Sequence, residues 1–253
     1  MNRKPAISRP DLTSVTLVAV TSVAHAATID ALRRSMAQAQ FADVLLLSDR
    51  PPPAGETGIN WRQIEPIRSR ADFSRFMLRD LAQHIATPHA LCVQWDGYVL
   101  DGRAWDPAFL DFDYIGAPWP QFSDGYNVGN GGFSLRSRRL LDACAALPFN
   151  GEVAEDVLIC RLYRRELEEQ GFRFAPESVA RRFSFERTRS TGDEFGFHGS
   201  FNLVRLVSRE AALKIFRTLE PQVLARSERY ELFRWALARG RLKLALSILR
   251  RPA

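Results

Sequence analysis

The feature that most restricts the fold is a strand–helix–strand order at the start of the chain. An apolar run, VTLVAV at 15–20, precedes a segment of helical character at 28–38, and a second apolar run, DVLLLSD, follows at 43–49. When a helix connects two strands, the chain returns to the edge where the first strand began, and the strands pair in parallel. The order therefore predicts a parallel sheet.

The alternation continues and predicts an α/β fold, with a mostly parallel sheet and helices on both faces. The expected elements are a helix at 72–85 with Asp72 as its N-cap, strands at 89–100 and 112–119, helices at 135–146 and 155–171, and a strand–loop–strand at 172–186. We expect one domain over residues 12–204, a disordered leader over 1–11, and a helical extension over 205–253.

Basic charge is concentrated in the predicted extension. Residues 205–253 contain twelve Lys and Arg and four Asp and Glu, a net charge of +8, whereas the whole chain carries +6. The remaining 204 residues therefore sum to −2, which argues against nucleic acid as a partner. Two or three amphipathic helices, with Gly240 between the last two, predict either a solvated helical pair packed on the domain, which is the preferred interpretation, or peripheral contact with an anionic membrane.

The N-terminus resembles a secretory signal, because basic residues and an apolar stretch precede an Ala-His-Ala sequence. The apolar run is short and contains Thr16, so a buried strand is the preferred interpretation. The three cysteines lack CxxC spacing and favour a reduced, cytoplasmic protein. With the basic extension, we expect a position in the cytoplasm or at the inner face of the membrane. No segment approaches the ~20 apolar residues of a transmembrane helix.

Ligands of parallel sheets bind at the carboxyl ends of the strands. The first strand ends at Thr21 and Ser22, and the second at Ser48 and Asp49. Small polar groups beside a carboxylate predict contacts with a ribose or a base. Capping of the loops that follow is an equal alternative.

The third strand end carries the candidate cation ligands. The apolar strand runs into Gln94, Trp95 and Asp96, and Gln94 and Asp96 project to the same side of an extended chain. Amide and carboxylate oxygens form a partial site for a hard cation. The alternative is that Asp96 caps the turn at Gly97. The D-x-D string at 111–113 is a second candidate, although capping at the entry of a strand explains it as well.

Three later motifs complete the candidate site. The sequence VGNGG at 128–132 leaves bare backbone that can approach a sugar or phosphate. Glu155 and Asp156 open a helix, where acids favour the dipole and one could also act as a general base. His198 lies in a glycine-flanked loop, where it is either structural or a ligand.

The order of these features resembles the GT-A-fold nucleotide-sugar glycosyltransferases. The sequences QWDGYVL, DYIGAPW, GNGGFSLRSR, EDV and FGFHG closely resemble an uncharacterised microbial family, a domain of unknown function usually grouped with those enzymes. The resemblance covers roughly residues 12–204. It implies that Asp96 is the last acid of a metal-binding D-x-D and that Asp156 is the catalytic base. For Glu155, beside Asp156, we expect either that it orients the acceptor hydroxyl or that it is solvated.

The resemblance also implies that Gly131 and Gly132 form the glycine loop and that His198 binds metal. It implies a hexosyltransferase that uses Mn²⁺ or Mg²⁺ and moves a sugar from a nucleoside diphosphate sugar to a glycan or lipid-linked acceptor, in cell-surface glycan biosynthesis. Gln94 departs from the pattern, because an acid would stand there. Two alternatives remain: an inactive sugar-nucleotide- or glycan-binding module, or a hydrolase that uses paired carboxylates.

Overall fold

The computed structural model describes residues 9–249. Residues 1–8 of the predicted leader lie outside the described residues. The strands are β1 (Asp11–Thr21), β2 (Gln40–Ser48), β3 (Asn60–Gln63), β4 (His89–Val93), β5 (Tyr98–Val99), β6 (Tyr114–Ile115), β7 (Ala117–Pro118), β8 (Val128–Gly129), β9 (Phe133–Ser137), β10 (Ser184–Phe185) and β11 (Gly196–Phe197).

The helices lie between and after these strands, and some of them are single turns. They are α1 (His25–Gln38), α2 (Arg70–Arg79), α3 (Leu81–His84), α4 (Arg138–Cys144), α5 (Glu155–Val157), α6 (Arg164–Glu169), α7 (Glu177–Phe183), α8 (Ser200–Leu206), α9 (Arg209–Thr218), α10 (Arg226–Ala238) and α11 (Leu242–Leu249). A π-helical turn, Leu158–Leu162, joins α5 to α6.

The central sheet has the strand order β3-β2-β1-β4-β9-β6. The first four of these strands are parallel, and β9 runs antiparallel to both β4 and β6. The predicted parallel pairing of the first two strands is therefore confirmed. The apolar run at 15–20 lies inside β1, which begins four residues earlier than expected, at Asp11.

Successive residues of β1 face opposite sides of the sheet and enter separate apolar clusters. Leu17 and Ala19 pack with Ile29 and Leu32 of α1. Val18 and Val20 pack on the other face, with Met77 of α2 and other residues of α2 and α3. This alternation follows from the twofold period of a strand and confirms an α/β sheet covered by helices on both faces.

The prediction of a helix directly after the glycine cluster was wrong. Phe133–Ser137 is strand β9, and helix α4 begins only at Arg138, with the Ser137 side chain as its N-cap. Every residue of β9 is buried, because the strand pairs with β4 on one side and β6 on the other. The glycine loop is therefore followed by a strand and not by the N-terminus of a helix.

Two other predicted elements also needed correction. The helix expected at 72–85 begins at Arg70 and breaks at Asp80, and its N-cap is Ser69, whose hydroxyl accepts a hydrogen bond from Asp72 N. The segment 172–186, expected as strand–loop–strand, contains helix α7 before the short strand β10. Pro176 precedes α7, where its missing N–H costs no intrahelical bond.

The helices after residue 206 pack on the α/β core through one apolar cluster. The cluster joins residues of α9, α10 and α11 to Ala27 and Ala31 of α1 and to Tyr98 and Phe197. Glu220 adds a polar connection, because its Oε2 accepts a hydrogen bond from Ala24 N at 2.6 Å and its Oε1 pairs with Arg50 at 2.9 Å. The predicted boundary at residues 204 and 205 lies inside α8.

The C-terminal helices α10 and α11 are separated at Gly240, which has a positive φ of 64°. This position agrees with the predicted break. Across residues 9–249, no helix combines the length and apolar character that crossing a membrane requires.

Candidate functional site

The candidate residues at the strand ends meet at one edge of the sheet. Thr21 pairs with Ser48 at the ends of β1 and β2, and β4 runs parallel to β1 with Val18 opposite Cys92. The carboxyl ends of these three strands therefore point the same way. Ser22, Asp49 and Gln94 follow them at this edge.

The small polar residues at the first strand end are engaged locally. The Thr21 hydroxyl accepts a hydrogen bond from Val23 N at 3.1 Å, and the Ser22 hydroxyl accepts one from Ile67 N at 2.8 Å. Asp49 differs, because its Oδ1 is buried and has no hydrogen-bond partner among residues 9–249. Of these predicted nucleotide contacts, Asp49 has the most unused bonding capacity.

A cluster of polar side chains surrounds His198. Its Nε2 lies 3.2 Å from Asp96 Oδ1 and 3.3 Å from Gln94 Oε1. On the other side of the ring, Nδ1 lies 3.5 Å from Glu186 Oε1. The structure thus brings together three residues that the sequence singled out, and it adds a carboxylate that the sequence analysis missed.

Short strands hold this cluster in place. His198 N donates to Phe185 O and Gly199 N donates to Asp96 O, each at 3.0 Å. The turn after β4 is closed by Gly97 N donating to the backbone oxygen of Gln94 at 3.1 Å. The turn is therefore formed by backbone atoms, and Asp96 Oδ1 is buried with no hydrogen-bond partner in the part of the chain that the structure describes.

The electrostatics of the cluster follow from this arrangement. Burial alone lowers the pKa of His198, but the carboxylates of Asp96 and Glu186 outweigh burial and raise that pKa well above its ordinary value. The histidine acts on Glu186 in return. Burial raises the pKa of Glu186, but the contact with His198 outweighs burial, and the pKa is lowered. Without another cation present, the imidazolium balances the two carboxylates.

The glycines at 131 and 132 make room for side chains of the protein. A Cβ at residue 132 would lie 2.1 Å from His198 Nε2, and a Cβ at residue 131 would lie 2.3 Å from Glu155 Oε1. Asn130 turns the chain with a positive φ of 77°, and its side chain accepts a hydrogen bond from Gly132 N at 2.8 Å. Close approach to neighbouring side chains explains these two glycines.

The two acids that open α5 have different surroundings. Glu155 is 3% exposed, and its Oε1 lies 3.1 Å from Nη2 of the fully buried Arg136. Burial, helped by the charge of Asp156, raises the pKa of Glu155 although Arg136 opposes the change. Glu155 is therefore an internal ion-pair partner, and the interpretation of a solvated acid was wrong.

Asp156 is half-buried and oriented by the backbone. Its Oδ2 accepts a hydrogen bond from Gly131 N at 2.9 Å, and its Oδ1 accepts one from Val157 N at 2.8 Å. The π-helical turn that follows is a feature often found at functional sites. The carboxylate keeps lone pairs free after these two bonds, since its oxygens together offer about four acceptor positions.

Sequence reasoning missed Arg136 and Glu186. Arg136 lies in a segment predicted to be helical, and only the structure shows that strand β9 buries its charge, which then requires a partner. Glu186 carried no signal in the sequence either, because twelve residues separate it from His198 and the pairing of β10 with β11 brings them together.

The spacing of the oxygen and nitrogen atoms around His198 suits a divalent cation. Neighbouring ligands of an octahedral ion with bonds of about 2.1 Å lie about 3 Å apart. The separations of His198 Nε2 from the oxygens of Asp96 and Gln94, 3.2 and 3.3 Å, are close to that value. The unpartnered Asp96 Oδ1 supports the fit. Within residues 9–249, no three His, Cys, Asp or Glu side chains form a metal-holding group, so the set is two such ligands and one amide.

Comparison with known proteins identifies the family. Residues 59–198, more than half of the chain, match the family described as protein of unknown function (DUF5672). The chain belongs to this family. The resemblance to an uncharacterised family is thereby confirmed, and the DUF5672 match contains Gln94, Asp96, Asp156 and His198. A comparison with curated proteins gives no match.

Solved structures similar to this DUF5672 protein include glycosyltransferases. The galactosyltransferase LgtC, in complex with donor and acceptor sugar analogues, is 13% identical with a TM-score of 0.40, over 72% of this chain and 86% of that one. The apo form of GlyE from Streptococcus pneumoniae TIGR4 is 14% identical with a TM-score of 0.43, over 76% of this chain and 54% of that one. Likeness at this level concerns the arrangement of the chain alone.

Proposed function

We propose that this protein is a glycosyltransferase that moves a sugar from a nucleoside diphosphate sugar to a glycan or lipid-linked acceptor. The observation that carries the proposal is the meeting of His198, Asp96 and Gln94 at the carboxyl edge of the sheet. An unpartnered carboxylate oxygen and an imidazole nitrogen about 3 Å apart suit the recognition of a cation–diphosphate pair. The parallel sheet supports the proposal, since its strand ends are where such ligands bind.

Asp96 and His198 would hold Mn²⁺ or Mg²⁺, with the Gln94 amide as a neutral third ligand. When bound, the cation neutralises negative charge on the departing diphosphate. Because Gln94 replaces an acid, we expect the free protein to bind the cation weakly. A nucleoside diphosphate would tighten that binding by adding its own oxygens.

The donor nucleotide is assigned to the neighbouring strand ends. Asp49 has a buried carboxylate oxygen without a partner, and a ribose hydroxyl could donate a hydrogen bond to it. Thr21 and Ser22 contribute to this part of the site by fixing the adjoining loops, through their hydrogen bonds with Val23 N and Ile67 N. The backbone of Gly131 and Gly132 lies between the His198 cluster and Asp156, and we assign the transferred sugar to this segment.

Asp156 is the proposed general base. In the transfer, the acceptor oxygen bonds to the anomeric carbon, the bond from that carbon to the diphosphate breaks with its electron pair, and Asp156 takes the acceptor proton. The N–H groups of Gly131 and Val157 fix the orientation of the carboxylate. Glu155 acts indirectly, because its contact with Arg136 anchors the start of the same helix.

The C-terminal helices are proposed to contact an anionic lipid surface, where a lipid-linked acceptor would lie. Leu242, Leu246 and Leu249 are each at least half exposed and follow the helical spacing of one face of α11. Lys243 follows Leu242 in the sequence and adds positive charge to α11. Apolar residues beside basic ones are typical of helices that lie on anionic membranes.

The function is tested by incubating the purified chain with a panel of nucleoside diphosphate sugars, with and without Mn²⁺. Transfer with diphosphate release supports the proposal, and silent binding of a donor indicates an inactive binding module. Cleavage of glycans without any nucleotide indicates a carboxylate-pair hydrolase. Asp156→Asn should lower turnover by about 10²- to 10⁴-fold while donor affinity is retained. An equal loss of affinity and turnover makes Asp156 a binding residue.

The membrane contact is tested separately by co-sedimentation with vesicles of phosphatidylglycerol or of phosphatidylcholine. We expect binding to the anionic vesicles only, and loss of binding when Leu242, Leu246 and Leu249 are replaced together by Ser. Leu162→Ser is the matched control, because Leu162 is equally exposed but lies outside the extension. Equal recovery in the supernatant with both lipids would contradict the contact.

A further inference from the structure

Glu186 and the pair formed by Asp96 and Gln94 lie on opposite sides of the His198 ring. Glu186 Oε1 is 3.5 Å from Nδ1, whereas Asp96 Oδ1 and Gln94 Oε1 are 3.2 and 3.3 Å from Nε2. A neutral imidazole carries its proton on one nitrogen only, and the group facing that nitrogen determines which one it is. When a cation occupies the Nε2 side, the proton of a neutral ring is left to Nδ1, which faces Glu186.

The backbone of this region is held independently of the Glu186 side chain. Asn202 Nδ2 donates to Glu186 O and to His198 O, each at 2.8 Å. His198 N also donates to Phe185 O, within the pairing of β10 with β11. A change confined to the Glu186 side chain should consequently leave the positions of both main chains intact.

We infer that Glu186 is a positioning residue that accepts the Nδ1 proton of His198 and presents the Nε2 lone pair to a cation beside Asp96. This inference rests on the proposed function. An outer carboxylate also increases the basicity of the histidine it contacts. Glu186 thereby restores part of the donor strength that the neutral Gln94 does not supply. The Glu186 carboxylate, on the Nδ1 side of the His198 ring, thus supplies the negative charge that the neutral Gln94 does not.

The test compares three variants with the wild type by measuring Mn²⁺ affinity from the electron paramagnetic resonance signal of the free ion. Glu186→Gln should weaken binding about 10- to 100-fold, because it removes the carboxylate behind the ligand. Asp96→Asn should weaken it at least as much. Glu56→Gln is the matched control, since Glu56 is a largely buried carboxylate paired with Arg33 away from the site, and its affinity should equal that of the wild type.

A second measurement needs neither metal nor turnover. Nitrogen-15 spectra of His198, recorded where the ring is neutral, report which nitrogen carries the proton. Glu186→Gln should move proton population from Nδ1 to Nε2 relative to the wild type, because the carboxylate that faces Nδ1 is removed. Thermal unfolding of each variant records whether the fold is retained.

The outcomes separate the two proposals. If Asp96→Asn weakens Mn²⁺ binding and Glu186→Gln neither weakens it nor shifts the proton, the positioning role is wrong and the cation site stands. If no variant changes Mn²⁺ binding, the cation part of the proposed function is wrong. In that case the role of Glu186 toward a cation is wrong as well, whereas a loss of binding in Asp96→Asn alone overturns the role of Glu186 only.

Discussion

Asp96 and Asp113 are almost equally buried, at 6% and 5% exposed, but their carboxylates have opposite surroundings. Asp113 accepts hydrogen bonds from the Arg139 guanidinium at 2.6 and 2.5 Å, from the Ser137 hydroxyl at 2.5 Å, and from Arg173 N at 2.8 Å. Asp96 Oδ1 has no hydrogen-bond partner among residues 9–249 and lies beside His198.

The contrast distinguishes a structural carboxylate from one that is available to a ligand. The sequence offered two candidate cation strings, QWD at 94–96 and DFD at 111–113. In the second string, the bonding capacity of Asp113 is used to join β6, β9 and the segment before α7. In the first, Asp96 Oδ1 accepts no hydrogen bond among residues 9–249 and is balanced by the ion pair with His198, whose charge a bound cation would replace. The first string therefore remains the proposed cation site, and the second is assigned to the fold.

The largest expected effect is that of Asp96→Asn on turnover. Removal of the one anionic ligand should reduce kcat by about 10³-fold, or about 4 kcal/mol, if a cation stabilises the departing diphosphate. The free energy of unfolding should change by about 1 kcal/mol or less, because Asp96 makes few bonds that hold the fold. Steady-state kinetics and denaturant unfolding measure the two quantities. Near-normal turnover would contradict the cation role.

Gly132→Ala should act on the same site without changing either aspartate. The new Cβ would lie 2.1 Å from His198 Nε2, so the ring must leave its present position. A displacement of this kind should reduce turnover by about 10²-fold. Gly125→Ala is the control, since nothing lies within 4 Å of its added Cβ and its φ of 85° affects stability alone. Equal kinetics for the two variants would show that His198 does not require its present position.

Asp113→Asn should lower the stability of the fold and leave turnover nearly unchanged, which is the opposite of the effect expected for Asp96→Asn. The change places an amide NH₂ against groups that donate hydrogen bonds, and we expect a loss of about 2 kcal/mol in the free energy of unfolding. Turnover of the folded fraction should change by less than about threefold, an energy below about 0.7 kcal/mol. Urea unfolding with kinetics on the same samples tests both. A large kinetic defect in a stable variant would place Asp113 in the site.

The stability contributed by Asp113 should depend on pH. Burial alone raises the pKa of Asp113, but the hydrogen bonds from Arg139, Ser137 and Arg173 outweigh it and lower the pKa in the folded state. The stabilisation is then fully present above the unfolded pKa of about 3.9 and is lost as the pH falls through the lower folded value. The stability gap between wild type and Asp113→Asn should narrow below about pH 4. A gap of the same size at pH 3 and pH 7 would contradict this.

Asp111→Asn should have the smallest effect of the series. Asp111 is exposed and ends a short 3₁₀ turn, so its replacement should change the free energy of unfolding by less than about 0.5 kcal/mol. Turnover should equal that of the wild type. If Asp111→Asn impairs transfer as strongly as Asp96→Asn does, the string at 111–113 also takes part in binding and its assignment to the fold is wrong.

The first half of the sheet could be predicted from the sequence because its signals are local. Apolar runs and a short crossover define β1, α1 and β2, and the strand ends follow directly. Strand β9 could not be predicted in this way, since its partners β4 and β6 are distant in sequence and the glycine cluster suggested a helix start. Pairing across the sheet overrode that local signal.

In the candidate site, too, residues marked by local sequence patterns could be predicted, and residues that depend on distant contacts could not. Asp96, Asp156 and His198 were selected from local patterns, and their roles remain predictions. The structure nevertheless brings Asp96 and His198 within 3.2 Å. Glu186 could not be found, because its relation to His198 depends on the pairing of two-residue strands. The sequence also could not show why residue 132 is a glycine, since His198, whose ring leaves no room for a Cβ there, is 66 residues away.

The hydrogen bond from Ala24 to Glu220 has a consequence for synthesis of the protein. The two residues are 196 positions apart in the chain. At about 5 to 20 residues per second, a ribosome needs roughly 10 to 40 seconds to travel between them. During that interval the first turn of α1 and the alanines that later meet the C-terminal helices lack their final neighbours. The earliest helix to be made is thus among the last to complete its packing, and a nascent chain must keep that surface from aggregating until its end has emerged.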